Sequence, residues 1–202
     1  MSDMILRAAI NEFAQKGMKA TLSAIAEQAD VPESALYRHY PNKEALIIAL
    51  TDHFWDKMLD SFRIINSVNW YHSEVEKLLK LAELIQMALY KDLNLVKVVA
   101  SGYLPNPEKI DDEALREKRL EIRRKNREAL RMIDVIIKDG QDKGEIILLL
   151  KPQVIRQILI GAFQALGYGL FIQFDRNEDV GYEPMEARKG LEFVIDSIRI
   201  RE

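Results

Sequence analysis

Apolar positions in the first fifty residues recur with a helical period, cut by short polar breaks. Leu6, Ala9, Ile10, Phe13 and Ala14 fall on one face, and Gly17 follows them with the missing Cβ that suits the left-handed position after a helix. Leu22, Ile25, Ala26 and Ala29 stand at i, i+3, i+4 and i+7, a second apolar stripe, with Thr21 placed to cap its free N–H groups. Ala29-Asp30-Val31 reads as a tight turn, and a further helix runs from residue 32 or 33 to about His39. Tyr40-Pro41-Asn42 breaks that helix, and Asn42 caps the next one. Two short helices across a tight turn, with a third at once after them, make a helix-turn-helix, and that motif points to DNA. Its second helix carries Glu33, Ser34, Tyr37 and Arg38 outward, all able to meet a base edge or a phosphate.

The stretch ALYRHYPNKEAL resembles the DNA-binding domain of the TetR family of transcriptional repressors, whose pattern is roughly Leu-Tyr-x-His-aromatic-x-x-Lys-x-x-Leu. The resemblance covers about residues 2–50. It implies an all-α protein with an N-terminal three-helix helix-turn-helix domain at 1–46 and a larger helical ligand-binding and dimerisation domain at 47–202. It also implies that Tyr37, His39 and Lys43 stand at phosphate-contacting positions, while Ser23, Ser34 and Arg38 stand where bases are faced. With Thr21 and Glu33 these are the expected DNA-binding residues. Glu33 stands where the family often has Lys or another long polar residue: it can accept from cytosine N4 or simply complement the helix dipole. Asp30 replaces the usual turn Gly and Pro32 the usual Ser cap. Tyr40 is expected in the core.

Beyond the head, Leu46, Ile47, Leu50, Phe54, Met58, Phe62 and Ile65 predict one long helix from residue 43 into the sixties, a lever between domains. Residues 74–90 predict a helix apolar nearly all round and hence central. A shorter helix to about Tyr103 ends at the loop-forming Leu104-Pro105-Asn106-Pro107. Residues 111–143 predict a long helix whose first half is dense in charge, but acids are interleaved: Glu121 stands four before Lys125 and Asp112 four before Arg116, over an apolar stripe of Leu115, Ile122, Ala129, Ile133 and Ile136. A solvated face is expected there, with Gly140 and Gly144 stopping the helix.

Residues 154–174 are about long enough to span a membrane, but Arg156, Gln157, Gln164 and Gln173 argue against an anchor. Gly161, Ala165 and Gly169 recur at i, i+4 and i+8, a strip that admits a close helix, either within the monomer or at a dimer seam. The last helix is expected at 184–201, carrying Met185, Leu191, Val194, Ile195 and Ile198. The resemblance implies that these two helices build a four-helix dimer bundle, so Gly161, Ala165, Gly169, Leu191, Ile195 and Ile198 are the expected seam. A palindromic operator needs two reading heads.

Composition changes this picture little. The chain has 202 residues, 48% hydrophobic and 30% charged, with no Cys, so disulfides and thiolate zinc sites are excluded and a reducing cytosol fits. His39, His53 and His72 lack metal-ligand spacing, and no metal or cofactor is expected. Met-Ser-Asp-Met starts no secretory signal, and a cytoplasmic protein is expected. Net charge is −3, and residues 1–45 are acidic by one: Arg7, Lys16, Lys19, Arg38 and Lys43 against Asp3, Glu12, Glu27, Asp30, Glu33 and Glu44. A DNA-binding surface must then be local, with weak non-specific binding and a modest salt slope.

No paired-carboxylate, nucleophile–base or phosphate-loop pattern stands out, so an enzyme is not expected. The expected function is a ligand-responsive regulator, a repressor that binds a palindromic operator in double-stranded DNA as a homodimer and is released by a small lipophilic molecule. The alternative is a DNA-binding protein of the same fold governed by a protein partner, or acting architecturally. Glu83 and Gln86 are the strongly polar residues of 81–90, and Glu83 is the expected anchor of the inducer. Trp55, Met58, Phe62, Met87, Tyr90, Tyr103, Phe163 and Tyr168 are its expected walls, an apolar and aromatic set suited to a lipophilic, even cationic, molecule.

Overall fold

The computed structural model describes residues 2–67, 71–91, 93–100, 104–176 and 184–200, with the side chains of 88–91, 93, 97, 100, 167–176 and 184 outside the description. Nine α-helices are seen among the described residues: α1 (Ser2–Lys16), α2 (Leu22–Gln28), α3 (Glu33–His39), α4 (Lys43–Ser67), α5 (Glu74–Lys91), α6 (Leu93–Ala100), α7 (Glu113–Asp142), α8 (Pro152–Arg176) and α9 (Pro184–Ser197). The all-α expectation holds, and no described helix is long and apolar enough to cross a membrane.

Two compact units are present: Met1–Lys57 with Asp92–Asn126, and Met58–Lys91 with Arg127–Glu202. This division runs through α4 and α7, unlike the motif-based boundary after residue 46. In the first unit, Ile5, Ala9, Phe13, Ile25, Leu36, Leu46, Ile47 and Leu50 form one buried cluster together with Leu95 and Val98 of α6. The three-helix head therefore closes over apolar residues that lie beyond it in sequence. A smaller cluster in the same unit joins Ile48, Ile110 and Ile122, with Trp55, Leu104 and Leu115 against it.

The charge density of α7 is absorbed locally. Lys125 reaches Asp52 at 2.5 Å and Asp56 at 2.6 Å, and Glu121 at 3.8 Å, within the first unit. In the second unit, Arg63 meets Glu128 at 2.9 Å. Asp112, expected to pair with Arg116, instead caps the helix by accepting from Leu115 N at 2.9 Å, while Arg116 donates to the Ile110 carbonyl.

Three expectations need correction in the second unit. Gly140 does not stop α7, which runs on to Asp142. A Cβ at Gly140 would lie 2.6 Å from Ile146 Cδ1 and 3.1 Å from Glu74 Cβ, so the glycine answers a close approach. Gly144 makes the turn, at φ +74°. The last helix ends at Ser197, because residues 198–200 pair antiparallel with 145–147: Ile147 N donates to Ile198 O and Ile200 N to Glu145 O. α5, finally, is not buried all round. Val75, Leu78 and Leu81 are buried, but Met87 is exposed.

Candidate functional site

The head builds its reading helix with few local devices. Thr21 Oγ1 accepts from Ala24 N at 3.1 Å and starts α2, and Asn42 Oδ1 accepts from Ala45 N at 2.8 Å and starts α4. Between α2 and α3, Val31 N donates to Ala26 O and Asp30 N to Glu27 O, the paired bonds that close a helix through a left-handed residue. That residue is Asp30, at φ +54°, where a short polar side chain is among the few that tolerate the conformation. Pro32 precedes α3 without a side-chain cap; its carbonyl accepts from Ala35 N and Leu36 N.

With Ala35 and Leu36 turned into the core, the rest of α3 faces out. Glu33, Ser34, Tyr37, Arg38 and His39 are all exposed, as are Thr21 and Ser23 on the neighbouring elements. These sequence-derived residues are all solvent-accessible on or next to the α2–α3 pair. Lys43 is half-buried, and its ammonium donates to the Met18 carbonyl at 3.0 Å, which fixes it over the turn that follows α1. Tyr40 packs on the head's core, as expected, and its hydroxyl meets Ser2 Oγ at 3.1 Å.

The expected inducer-binding residues fall in both units. Trp55 packs in the first unit, edge-on to Phe54 at 5.6 Å between centroids. Met58 and Phe62 are buried in the second unit, whereas Met87 is 56% exposed. Tyr103 and the side chains of Tyr90 and Tyr168 lie outside the described residues. Phe163 lines an apolar cavity of about 80 Å³ with Leu78, Leu81, Ile85, Ile133, Leu159 and Ile160. Glu83 lines a different space, a groove of about 250 Å³ between α5 and α9. Its carboxylate meets Lys80 at 2.8 Å and Arg188 at 3.7 Å, and the Lys80 ammonium beside it holds its carboxyl below the ordinary value. The two spaces share Ala82, Leu191 and Ile195 as a common wall.

Of the expected seam residues, Leu191, Ile195 and Ile198 are buried within the unit. Gly161 and Ala165 are exposed, and a Cβ at Gly161 would meet nothing within 4 Å, so the monomer's own packing does not need that glycine. The side of Gly169 lies outside the description. α8 and α9 pack together instead at Gly190, where a Cβ would come within 3.1 Å of Leu166. Among the described residues, the exposed large apolar side chains of these two helices are Val154, Ile158, Met185 and Phe193, the last 74% exposed. Sequence periodicity missed Phe193, since it stands two places from the buried stripe.

Residues 5–50 match the family model of bacterial regulatory proteins of the tetR family. An uncharacterized HTH-type transcriptional regulator of Bacillus subtilis, YuxN, is 34% identical over 64 residues, covering 31% of this chain and only 21% of that protein. The fold is shared with the fatty acid degradation regulator FadR of Bacillus halodurans, at TM-score 0.73 and 23% identity over 96% of this chain and 97% of that one. It is shared equally with FadR of Bacillus subtilis, solved in complex with stearoyl-CoA, at TM-score 0.73 and 24% identity over 98% and 100%. A ketosteroid transcriptional regulator of Mycobacterium tuberculosis follows at TM-score 0.71 and 19% identity, over 98% of this chain and 94% of that one. The match at residues 5–50, whose centre is the tightly turned α2–α3 pair, makes the N-terminal quarter of the chain similar to bacterial regulatory proteins of the tetR family.

Proposed function

We propose that this protein is a cytoplasmic transcriptional repressor that binds a palindromic operator as a two-fold dimer and leaves it when a small lipophilic molecule enters the helical unit. The observation that carries the reading is the exposed polar face of α3 on a buried three-helix core, with Glu33, Ser34, Tyr37, Arg38 and His39 free to meet DNA. Arg38 is suited to a guanine edge, and Tyr37, His39 and Lys43 to phosphates, which hold the register without reading sequence. Arg38→Ala is expected to change the preferred sequence and weaken the specific complex by about 1–3 kcal/mol, whereas Lys43→Ala weakens all duplexes alike and lowers the salt slope by about one. Anisotropy titrations on specific and scrambled duplexes at several salt concentrations test this; equal affinity for both duplexes in the wild type would refute sequence reading.

The dimer reading rests on a strip left uncovered by the monomer: Val154, Ile158, Gly161 and Ala165 on α8, with Met185 and Phe193 on α9. The buried Leu191, Ile195 and Ile198 support the seam from behind. Phe193→Asp places a charge where an aromatic ring would be desolvated, and is expected to yield monomers at about ten micromolar. Light scattering reads the mass, and an unchanged dimer would place the seam elsewhere.

An inducer is favoured by the apolar lining around Phe163. Drug-sized ligands fill roughly 300–1,000 Å³. A space of about 80 Å³ must therefore open to admit one, and opening is the differential affinity through which a ligand shifts a population. The stearoyl-CoA of the FadR complex is a ligand of that protein; it makes a long apolar chain a sensible first probe here.

A further inference from the structure

The groove between α5 and α9 has a chemistry distinct from that of the apolar space that shares Ala82, Leu191 and Ile195 with it. Its apolar lining is Leu79, Ala82, Leu191 and Ile195, and polar side chains line it as well. Both cations of the lining are already engaged: Lys80 with Glu83 at 2.8 Å, and Arg188 with Glu192 at 2.9 Å and Glu83 at 3.7 Å. Two further polar groups have no charged partner among the described residues. Gln86 is 9% exposed, lines the groove, and has no hydrogen-bond partner among the described residues. Glu76 lines the other end and has no cationic partner among the described residues; its Oε2 accepts from the His72 backbone N–H at 2.7 Å.

That same bond fixes what surrounds the unpaired charge. It holds the Tyr71–His72 peptide against the Glu76 carboxylate, and Tyr71 also lines the groove. A carboxylate without a cation suits an ammonium, and an aromatic residue lining the same groove can offer it a ring face as well. The Gln86 amide has no protein partner among the described residues and its polar atoms reach solvent, so a ligand group that hydrogen-bonds it takes the place of water there. The lining carries three carboxylates, Glu76, Glu83 and Glu192, against Lys80 and Arg188, so its surplus is negative. Glu76 and Gln86 are ten residues apart on one helix, which separates them by about 15 Å along its axis.

We propose that this groove binds an elongated organic ammonium, with its cation between Tyr71 and Glu76, its apolar body on Leu79, Leu191 and Ile195, and a distal hydrogen-bonding group at Gln86. The site stands by itself, and it rests on the repressor reading only for the consequence that occupancy alters DNA binding. Because Leu191 and Ile195 also line the apolar space around Phe163, a body pressed on them bears on the packing of the same helices.

Calorimetric titration of the full chain with octylamine, octanoate and 8-aminooctanol tests the proposal, since the three share a chain and differ at its ends. The amines are expected to bind at least about tenfold more tightly than octanoate, the worth of one charge-assisted contact. Aminooctanol is expected to exceed octylamine severalfold. Glu76→Gln keeps the acceptor for His72 N–H and is expected to weaken both amines about tenfold. Gln86→Leu removes an unpartnered amide without a cavity, and is expected to abolish the advantage of aminooctanol over octylamine while leaving octylamine binding unchanged. Tighter binding of octanoate, equal binding of all three, or a Glu76→Gln protein that binds amines as wild type does would overturn it. Amine binding that leaves an operator complex intact would refute release by ligand at this site while leaving the site in place.

Discussion

Leu36→Ala should lower the stability of this protein by about 2–5 kcal/mol, the range of large-to-small changes at fully buried positions. Leu36 is 0% exposed at the centre of α3, and its neighbours in the cluster are Ile5, Ile25, Ala26, Leu46 and Leu50. Three of the helices meeting there are short or end in tight turns, and α2 and α3 have seven residues each, too few to persist without tertiary packing. A cavity at Leu36 therefore removes the contact that makes α3 a helix at all. Thermal unfolding should shift down by roughly 2–4 °C per kcal/mol in a chain of this size. DNA binding should fall with it, whereas Arg38→Ala should leave melting unchanged and alter DNA binding alone, because its side chain faces solvent. A Leu36→Ala protein that melts as wild type does would show that the head is held by something other than this cluster.

What the sequence made legible follows from which interactions are local. Thr21, Asn42 and Gly17 act on backbone within a few residues, and each stands where its chemistry placed it. The α2–α3 turn was legible for the same reason, although Asp30 rather than Gly takes the left-handed residue. Periodicity identified most of the buried stripe of α4 and the stripe of α7 but missed Ile5 and Ala8 of α1, and it reports that a face is buried and not what buries it. Leu191, Ile195 and Ile198 look like a dimer seam in a sequence that lacks its partner helices; in the folded unit their own neighbours take them first. The face left over is marked by Phe193 and Met185, two residues whose exposure no local pattern announces. Glu83 was equally ambiguous. A lone acid on an apolar helix reads as a ligand anchor until Arg188, more than a hundred residues away, supplies a counter-charge. Gly140 is the clearest case, because a contact with Ile146 and Glu74, one of them distant in sequence, fixes a residue that looks like a helix stop.

The acid that Gly140 approaches gives the second large effect. Glu74 is 2% exposed at the first turn of α5, and its Oε1 accepts from Lys77 at 2.9 Å and Lys143 at 2.6 Å, while its backbone N–H donates to Glu145 Oε2 at 2.5 Å. Burial pushes the carboxyl up, and the hydrogen bonds and charges of Lys143 and Lys77 outweigh it, so the group titrates below its ordinary value. A carboxyl whose folded value lies below its unfolded one binds its proton more readily when unfolded. Its contribution is therefore complete above the ordinary carboxylate range and is lost as pH falls through the depressed folded value. Glu74→Gln should cost about 1–3 kcal/mol at neutral pH, the worth of hydrogen bonds to a charged group. The gap between wild type and variant should close on acidification, since both side chains are then neutral. Denaturant unfolding at a series of pH values, from neutral to about pH 3, measures it. A gap that persists unchanged into acid would assign the loss to altered packing beside Gly140 and Ile146 and not to the carboxylate charge.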